Sequence, residues 1–346
     1  MRYSITGGAG FIGGHFRRRL APQGSLHSIL DIRPAADPEP GVRHVVGDIR
    51  DPAAVRDAFD GATAVLHLAA AHHDFGIDRD TFYSVNEEGA RVLCDGMDEA
   101  GIRTICFFST VAVYGSEQDD PGESAPCRPD TPYGGSKLAG EEVFRAWMDR
   151  GDGRSVLVIR PTVTFGPGHF ANVYTLVRQI RSGLFVRVGP GENRKSLVYV
   201  DNLVHATLEL WSRLEPGQLD ICNMVDKPDL TSRQISDAVY RALGRRPPRM
   251  GIPMWAALLG ALPFDLVIAL TGRNLPISSA RVKKFAAANT RFAADRLAEA
   301  GIRGTVPLEE GLERMVRWYL DEGARLPLDR SIPSPTTMPY QPVTAD

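Results

Sequence analysis

The feature that most constrains this chain lies at its start. A short apolar strand, Tyr3-Ser4-Ile5-Thr6, runs into glycines spaced Gly7-x-x-Gly10-x-x-Gly13, and a helical pattern follows through Phe16 and Leu20. Glycine at these positions allows a tight turn off the strand, a close approach of backbone N–H groups to a pyrophosphate, and close helix–strand packing. The following helix offers its unpaired N–H groups and partial positive charge to the phosphates. A glycine triplet alone is a weak signal, so its context decides. A second strand, Ser28-Ile29-Leu30-Asp31, places an acid where a dinucleotide fold needs one for the ribose hydroxyls, about 20 residues on. The cofactor-binding candidates here are Gly7, Gly10, Phe11, Ile12, Gly13 and Asp31. Asp31 favours NAD because a carboxylate repels a 2′-phosphate; Arg33 is the residue that could instead hold the extra phosphate of NADP.

Further strands read as Val42–Val46, Ala64–Ala70, Ile102–Phe108 and Val156–Pro161, separated by helical patterns. Alternation at this spacing predicts an α/β fold, a doubly wound parallel Rossmann sheet, with a smaller, mostly helical C-terminal substrate lobe. The boundaries read as 1–165 for the NAD-binding domain, rejoined by 198–225. The substrate lobe comprises 166–197 and 226–330, and 331–346 is a Pro/Ser/Thr-rich tail. Strand ends supply more cofactor candidates: Asp48 and Ile49 beside the adenine, and Leu68, Ala69 and Ala70 where small residues let a ligand lie close. Asp51 before Pro52 reads as a helix cap.

The net charge is -2 and no run of Lys or Arg is long enough to engage nucleic acid. Cys94, Cys106, Cys127 and Cys222 show no metal or disulfide spacing, which fits a reducing compartment. His72 and His73 are adjacent but lack a third ligand at a useful spacing, so no metal is expected. The glycine motif begins at once, leaving no room for a signal peptide, so the cytoplasm is the expected location. The stretch 252–270 is almost entirely apolar but carries Pro263 and Asp265. It reads as a buried or lid helix pair, or as an interfacial surface in weak contact with a membrane or a greasy substrate. Arg273, Arg281, Lys283 and Lys284 nearby suit either an anionic lipid surface or a solvated face.

Thr110, Tyr133 and Lys137 form the catalytic candidates. Tyr133 and Lys137 stand at i and i+4, hence on one helix face. An ammonium beside the phenol, together with a positive nicotinamide ring, favours the phenolate, which can take a proton from a substrate hydroxyl. Thr110 at a strand mouth can hydrogen-bond the same oxygen.

With these motifs in place, the chain resembles the extended short-chain dehydrogenases/reductases, the group of nucleoside-diphosphate-sugar epimerases and dehydratases. The matching residues are Gly7-x-x-Gly10-x-x-Gly13, Asp48-Ile49, His67-Leu68-Ala69-Ala70, Asn86-x-x-Gly89, Ser109-Thr110-x-x-Val113-Tyr114-Gly115, Tyr133-x-x-x-Lys137 and Arg160-Pro161, in the family's order. The resemblance implies bound NAD, a Thr110–Tyr133–Lys137 triad, further cofactor contacts from Asn86 and Pro161, and a homodimer formed through the helices carrying Asn86 and Tyr133. It puts the phosphate-contacting arginine at Arg194. Two departures qualify it. Val111-Ala112 replace the acidic pair that family dehydratases carry after the threonine, which argues against dehydration. Val163 replaces an asparagine that usually contacts the diphosphate, moving the chain toward the 3β-hydroxysteroid dehydrogenase branch. The expected activity is therefore redox-neutral epimerisation of a nucleotide sugar through a keto intermediate. The alternatives are an oxidoreductase acting on a hydrophobic alcohol or ketone, and a non-catalytic dinucleotide-binding protein.

Overall fold

The fold was read from a computed structural model, which describes residues 1–72, 77–271 and 289–326. His73, the basic residues Arg273, Arg281, Lys283 and Lys284, and the 331–346 tail lie outside the described residues.

Seven strands form one parallel sheet in the order β3-β2-β1-β4-β5-β6-β9. They are β1 (Tyr3–Thr6), β2 (Leu26–Asp31), β3 (Arg43–Val46), β4 (Ala64–His67), β5 (Thr104–Phe108), β6 (Ser155–Pro161) and β9 (Leu219–Met224). The order reverses at β1, and ligands bind such sheets in the crevice at that switch point, outside the carboxyl ends of the strands. β1 pairs with β2 through Thr6↔Leu30 and with β4 through Thr6↔His67, so the glycine turn leaves between two strand ends. Strands buried on both faces are apolar nearly throughout, as in Val65-Leu66 and Val156–Ile159.

Helices cover both faces. α2 (Pro52–Phe59), α4 (Gly89–Glu99) and α5 (Pro132–Met148) bury Phe59, Leu93, Phe144 and Trp147 on one side. α1 (Phe11–Leu20) and α7 (Val200–Ser212) bury Phe16, Leu203 and Trp211 on the other. Asp51 caps α2 as expected, its carboxylate accepting from the Ala53 N–H at 2.9 Å with Pro52 next. Thr131 caps α5 in the same way, accepting from the Gly134 N–H at 3.1 Å. The helical segment between β4 and β5 is divided. α3 (Arg79–Tyr83) passes through a widened π turn at Ser84–Glu88 before α4, and such turns often mark functional positions.

The smaller lobe has its own core of Phe165, Tyr174, Leu197, Tyr199, Val239 and Leu312. It is built from α6 (Asn172–Ser182), α8 (Ser232–Ala242) and α11 (Leu308–Trp318), with α9 (Met254–Thr271) and the short α10 (Asp295–Glu299) nearby in sequence. The C-terminal lobe is mostly helical, as expected, and it also carries strands that the sequence did not reveal. β7 (Val163–Phe165), β8 (Arg194–Tyr199) and β10 (Asp226–Thr231) form a second, three-stranded sheet. β10 reads Asp-Lys-Pro-Asp-Leu-Thr and has no apolar alternation to reveal it. Its pairing with β8 decides its conformation, Asp226 facing Leu197 and Thr231 facing Arg194.

Candidate active site

The glycine turn fits a dinucleotide. Gly7 has φ +74°, and a Cβ there would stand 2.6 Å from the Ala69 backbone nitrogen. A Cβ on Gly13 would lie 2.5 Å from the Gly7 carbonyl oxygen. The turn thus presses against the exit of β4, where Leu68, Ala69 and Ala70 are half-buried. The Leu68 N–H donates to the Thr6 carbonyl at 2.9 Å, and Thr6 Oγ1 contacts His67 Nδ1 at 2.7 Å. Asp31 stands at the end of β2 with one carboxylate oxygen accepting from the Ala9 N–H at 2.9 Å and the other from the Arg33 N–H at 3.1 Å. The acid is thereby held beside the phosphate turn, where ribose hydroxyls reach it. Arg17, from the second turn of α1, braces the same loop through the Gly8 carbonyl at 3.3 Å and Glu39 at 2.8 Å.

The other cofactor candidates divide by what holds them. Asp48 is gripped by Arg50, whose Nη2 lies 2.6 Å from its carboxylate, and Ile49 is buried against Gly89. Asn86, in the π turn, is fully buried and clamps the loop after β4. Its side chain accepts from the Ala71 N–H at 2.9 Å and donates to the Ala71 carbonyl at 3.0 Å and to Ser136 Oγ at 2.9 Å. The structure therefore gives Asn86 a tie between the β4 loop and α5. Pro161 ends β6, paired with Met224.

Thr110 follows β5 and caps a 3-10 turn over Val111–Tyr114, its Oγ1 accepting from the Ala112 N–H at 3.2 Å. That turn abuts the start of α5. A Cβ on Gly134 would lie 2.6 Å from the Ala112 carbonyl oxygen, so glycine next to Tyr133 lets the segments carrying the catalytic candidates touch. Tyr133 packs on Phe82 with ring centroids 6.1 Å apart. One turn on, Lys137 is buried, with Nζ 4.3 Å from the centre of the Phe107 ring on β5. Gly140 brings α5 close enough for this, since a Cβ there would meet the Asn86 carbonyl at 2.9 Å. Burial pushes the Lys137 ammonium down to about 7, against Glu141, which raises it.

The sequence reading missed a buried network behind this pair. Glu141, one turn beyond Lys137, accepts from Arg160 Nε at 3.0 Å and Nη2 at 2.6 Å, and from Ser109 Oγ, the neighbour of Thr110. Arg160 Nη1 donates to Tyr114 Oη at 2.8 Å, and Tyr114 donates to Asn223 at 2.8 Å. The i+4 spacing of Lys137 and Glu141 was visible; the partner on β6 was not. Also missed was His169. It stacks on Phe11 of the glycine motif, centroids 4.3 Å apart and planes 7° apart. His15, on α1, contacts Asp201 at 2.9 Å and the Pro167 carbonyl at 3.1 Å.

The two substrate candidates share the second sheet, because β7 pairs with β8. Val163 opens β7 and is 40% exposed. Arg194 opens β8, is exposed, and donates to the Asp229 carbonyl at 3.1 Å. His72 rests on its own Ala70 carbonyl at 3.2 Å.

A model of the NAD dependent epimerase/dehydratase family matches residues 3–223. The chain belongs to that family. It is an enzyme of the extended short-chain dehydrogenase/reductase type, and NAD is its cofactor. The N-acetyl-alpha-D-glucosaminyl-diphospho-ditrans,octacis-undecaprenol 4-epimerase of Escherichia coli O157:H7 is 38% identical over 274 residues, covering 79% of this chain and 82% of the relative. A 3beta-hydroxysteroid-dehydrogenase/decarboxylase of Arabidopsis thaliana is 28% identical, covering 90% of this chain and 78% of the relative. Among solved structures, a dTDP-glucose 4,6-dehydratase of Streptomyces venezuelae, with NAD and DAU bound, is similar at TM-score 0.72 and 26% identity, over 94% of this chain and 98% of that one.

Proposed function

We propose that this enzyme is a 4-epimerase of a diphosphate-linked N-acetylhexosamine, and that the diphosphate is carried by a polyprenol rather than by a nucleoside. The observation that carries the reading is the 38% identity to the undecaprenol-linked sugar epimerase, spanning 82% of that relative. Val163 supports it, since an apolar, part-exposed residue stands where nucleotide-sugar enzymes of the family place an asparagine for the diphosphate. Residues 1–165 and 198–225 serve the cofactor, and 166–197 and 226–330 the substrate. A homodimer through the helices around Asn86 and Tyr133 is part of the same reading.

Bound NAD supplies a hydride acceptor and returns the hydride in the second half of the cycle. Tyr133, as phenolate, takes the proton of the C4 hydroxyl while the C4–H bond breaks, leaving a C4 ketone. Thr110 donates to the same oxygen and holds it in line. Lys137 stabilises the phenolate by its charge, and Glu141 supports that charge in a site where burial opposes it. The sugar then presents its other face, C4 regains hydrogen, and Tyr133 gives the proton back to oxygen. Val111-Ala112 after Thr110 leave no acid there to expel water.

The test is incubation of the purified enzyme with N-acetylglucosaminyl-diphospho-undecaprenol in detergent, followed by mild acid release and chromatography of the sugar. N-acetylgalactosamine is expected, without accumulation of NADH. Conversion of UDP-N-acetylglucosamine alone would return the reading to nucleotide sugars. NADH formation with a sterol and no sugar product would establish the oxidoreductase reading that the 28% identity to the steroid dehydrogenase motivates.

A further inference from the structure

The substrate lobe carries an apolar surface that nothing in the active site uses. The loop after α6 runs beside the segment leading into α9. Val188 bridges Ile252 in parallel register, and the Ile252 N–H donates to the Arg187 carbonyl at 2.8 Å. Val186 and Met250 lie two residues back on each side, and both are exposed, Met250 at 85%. α9 then presents Trp255, Leu259 and Leu262 at i, i+4 and i+7, on one face, and Trp255 is 66% exposed. Asp265 is the sole ionisable residue between 254 and 271, and none of the described side chains of α9 joins the three apolar cores. A helix apolar on every side belongs in a core or in lipid.

Charge favours lipid. Residues 238–264 include Arg241, Arg245, Arg246 and Arg249 and not one acid, on a chain of net charge -2. Arg246 and Arg249 are exposed at the foot of α9. Contact with a second copy through the same face would bring both sets of arginines into one interface, and residues 238–264 hold no acid to pair with them. Anionic headgroups pair with them instead, while tryptophan suits the boundary between headgroups and acyl chains. Among the described residues no helix is long and apolar enough to cross a membrane, and Pro263 lies inside α9.

We propose that α9 and the 250–252 segment dock the enzyme on the surface of an anionic bilayer, with Trp255, Leu259 and Leu262 at headgroup depth. The inference deepens the polyprenol reading, because a lipid-anchored carrier presents its diphosphate at that depth, close to the lobe that holds Val163 and Arg194. The test is flotation of the full-length protein with vesicles of equal parts phosphatidylglycerol and phosphatidylcholine, or of phosphatidylcholine alone, without substrate. Wild type should float with the anionic vesicles. Trp255→Glu combined with Leu259→Glu, and separately Arg246→Glu combined with Arg249→Glu, should each reduce binding at least about tenfold with unchanged circular dichroism. Brominated lipid should quench the wild type more than Trp255→Phe. Absence of flotation, or flotation equal in the glutamate variants, overturns the proposal. So does resistance to carbonate extraction, which would mean insertion, or a change of oligomeric state in the Trp255/Leu259 variant without vesicle binding, which would assign the face to a second copy. Because no sugar is present, failure here leaves the epimerase reading intact. Failure of epimerisation with retained flotation likewise leaves the docking surface.

Discussion

Lys137 is a charge-bearing residue in a site that disfavours charge. Its ammonium sits over Phe107 and is pushed down to about 7, so its protonation at neutral pH depends on Glu141 one turn away. Tyr133 in turn depends on Lys137. Tyr133→Phe is expected to lower turnover about 10²–10⁴-fold with the melting temperature unchanged, the range typical of a lost general base; product formation in a single turnover is the measurement. Glu141→Gln acts on two properties at once. It leaves Arg160 buried with half its partner, an error that costs about 3–5 kcal/mol in comparable buried pairs, read by urea unfolding. It also removes the field that keeps Lys137 protonated. Turnover near neutral pH should therefore fall while KM changes little, and Glu141→Asp should restore part of both. The positions of Thr110 at a strand exit and of Tyr133 and Lys137 on one helix were legible from residue type and spacing. Glu141 was half legible, because its partner Arg160 comes from a strand and only packing brings them together.

At the scale of elements, the turn after β7 closes on the cofactor helix. Gly166-Pro167-Gly168-His169 lays the imidazole flat on Phe11 and presents the Pro167 carbonyl to His15. Burial, with lesser contributions from His72 and His15, pushes His169 down to about 4. The unfolded chain takes up a proton near pH 6.5, whereas the folded chain holds His169 neutral to about 4. Acid therefore favours unfolding across that window, and stability is lost as pH falls through it. The shift corresponds to about 3 kcal/mol. His169→Phe keeps a ring against Phe11 and should flatten the pH dependence of the unfolding free energy between 6.5 and 4 relative to wild type. A pH dependence identical to that of wild type would reject the assignment. From sequence this segment read only as part of the substrate lobe, since a stack between residues this far apart leaves no local trace. β10 was missed for a related reason: polar, proline-containing and short, it is a strand because β8 offers it a partner.

For the molecule as a whole, the candidate cofactor residues lie at strand ends that are far apart in sequence. A ligand that binds only the folded state at 100 times its Kd stabilises by about 2.7 kcal/mol. NAD at that excess should raise the melting temperature of the wild type clearly. In Asp31→Ala the Ala9 and Arg33 N–H groups lose their acceptor, so the unliganded melting temperature falls, and the same NAD concentration should raise it from that new baseline far less than it raises the wild type. An equal shift in both proteins, measured by scanning calorimetry, would remove Asp31 from the cofactor site.

The sequence alone determined the class of fold, the glycine turn and the shared helix face of Tyr133 and Lys137, because each rests on short-range patterns. Glycine spacing sets backbone freedom, buried parallel strands demand apolar runs, and i, i+4 spacing sets a helix face. Tertiary structure alone decided the rest. It made Asn86 a clamp between Ala71 and Ser136, joined Glu141 to Arg160, stacked His169 on Phe11, and set Val163 and Arg194 on one small sheet. It also left the apolar face of α9 open to solvent. Each of these depends on which distant segments meet, and hydrophobic and hydrogen-bonding groups reveal their partners only once the chain has packed.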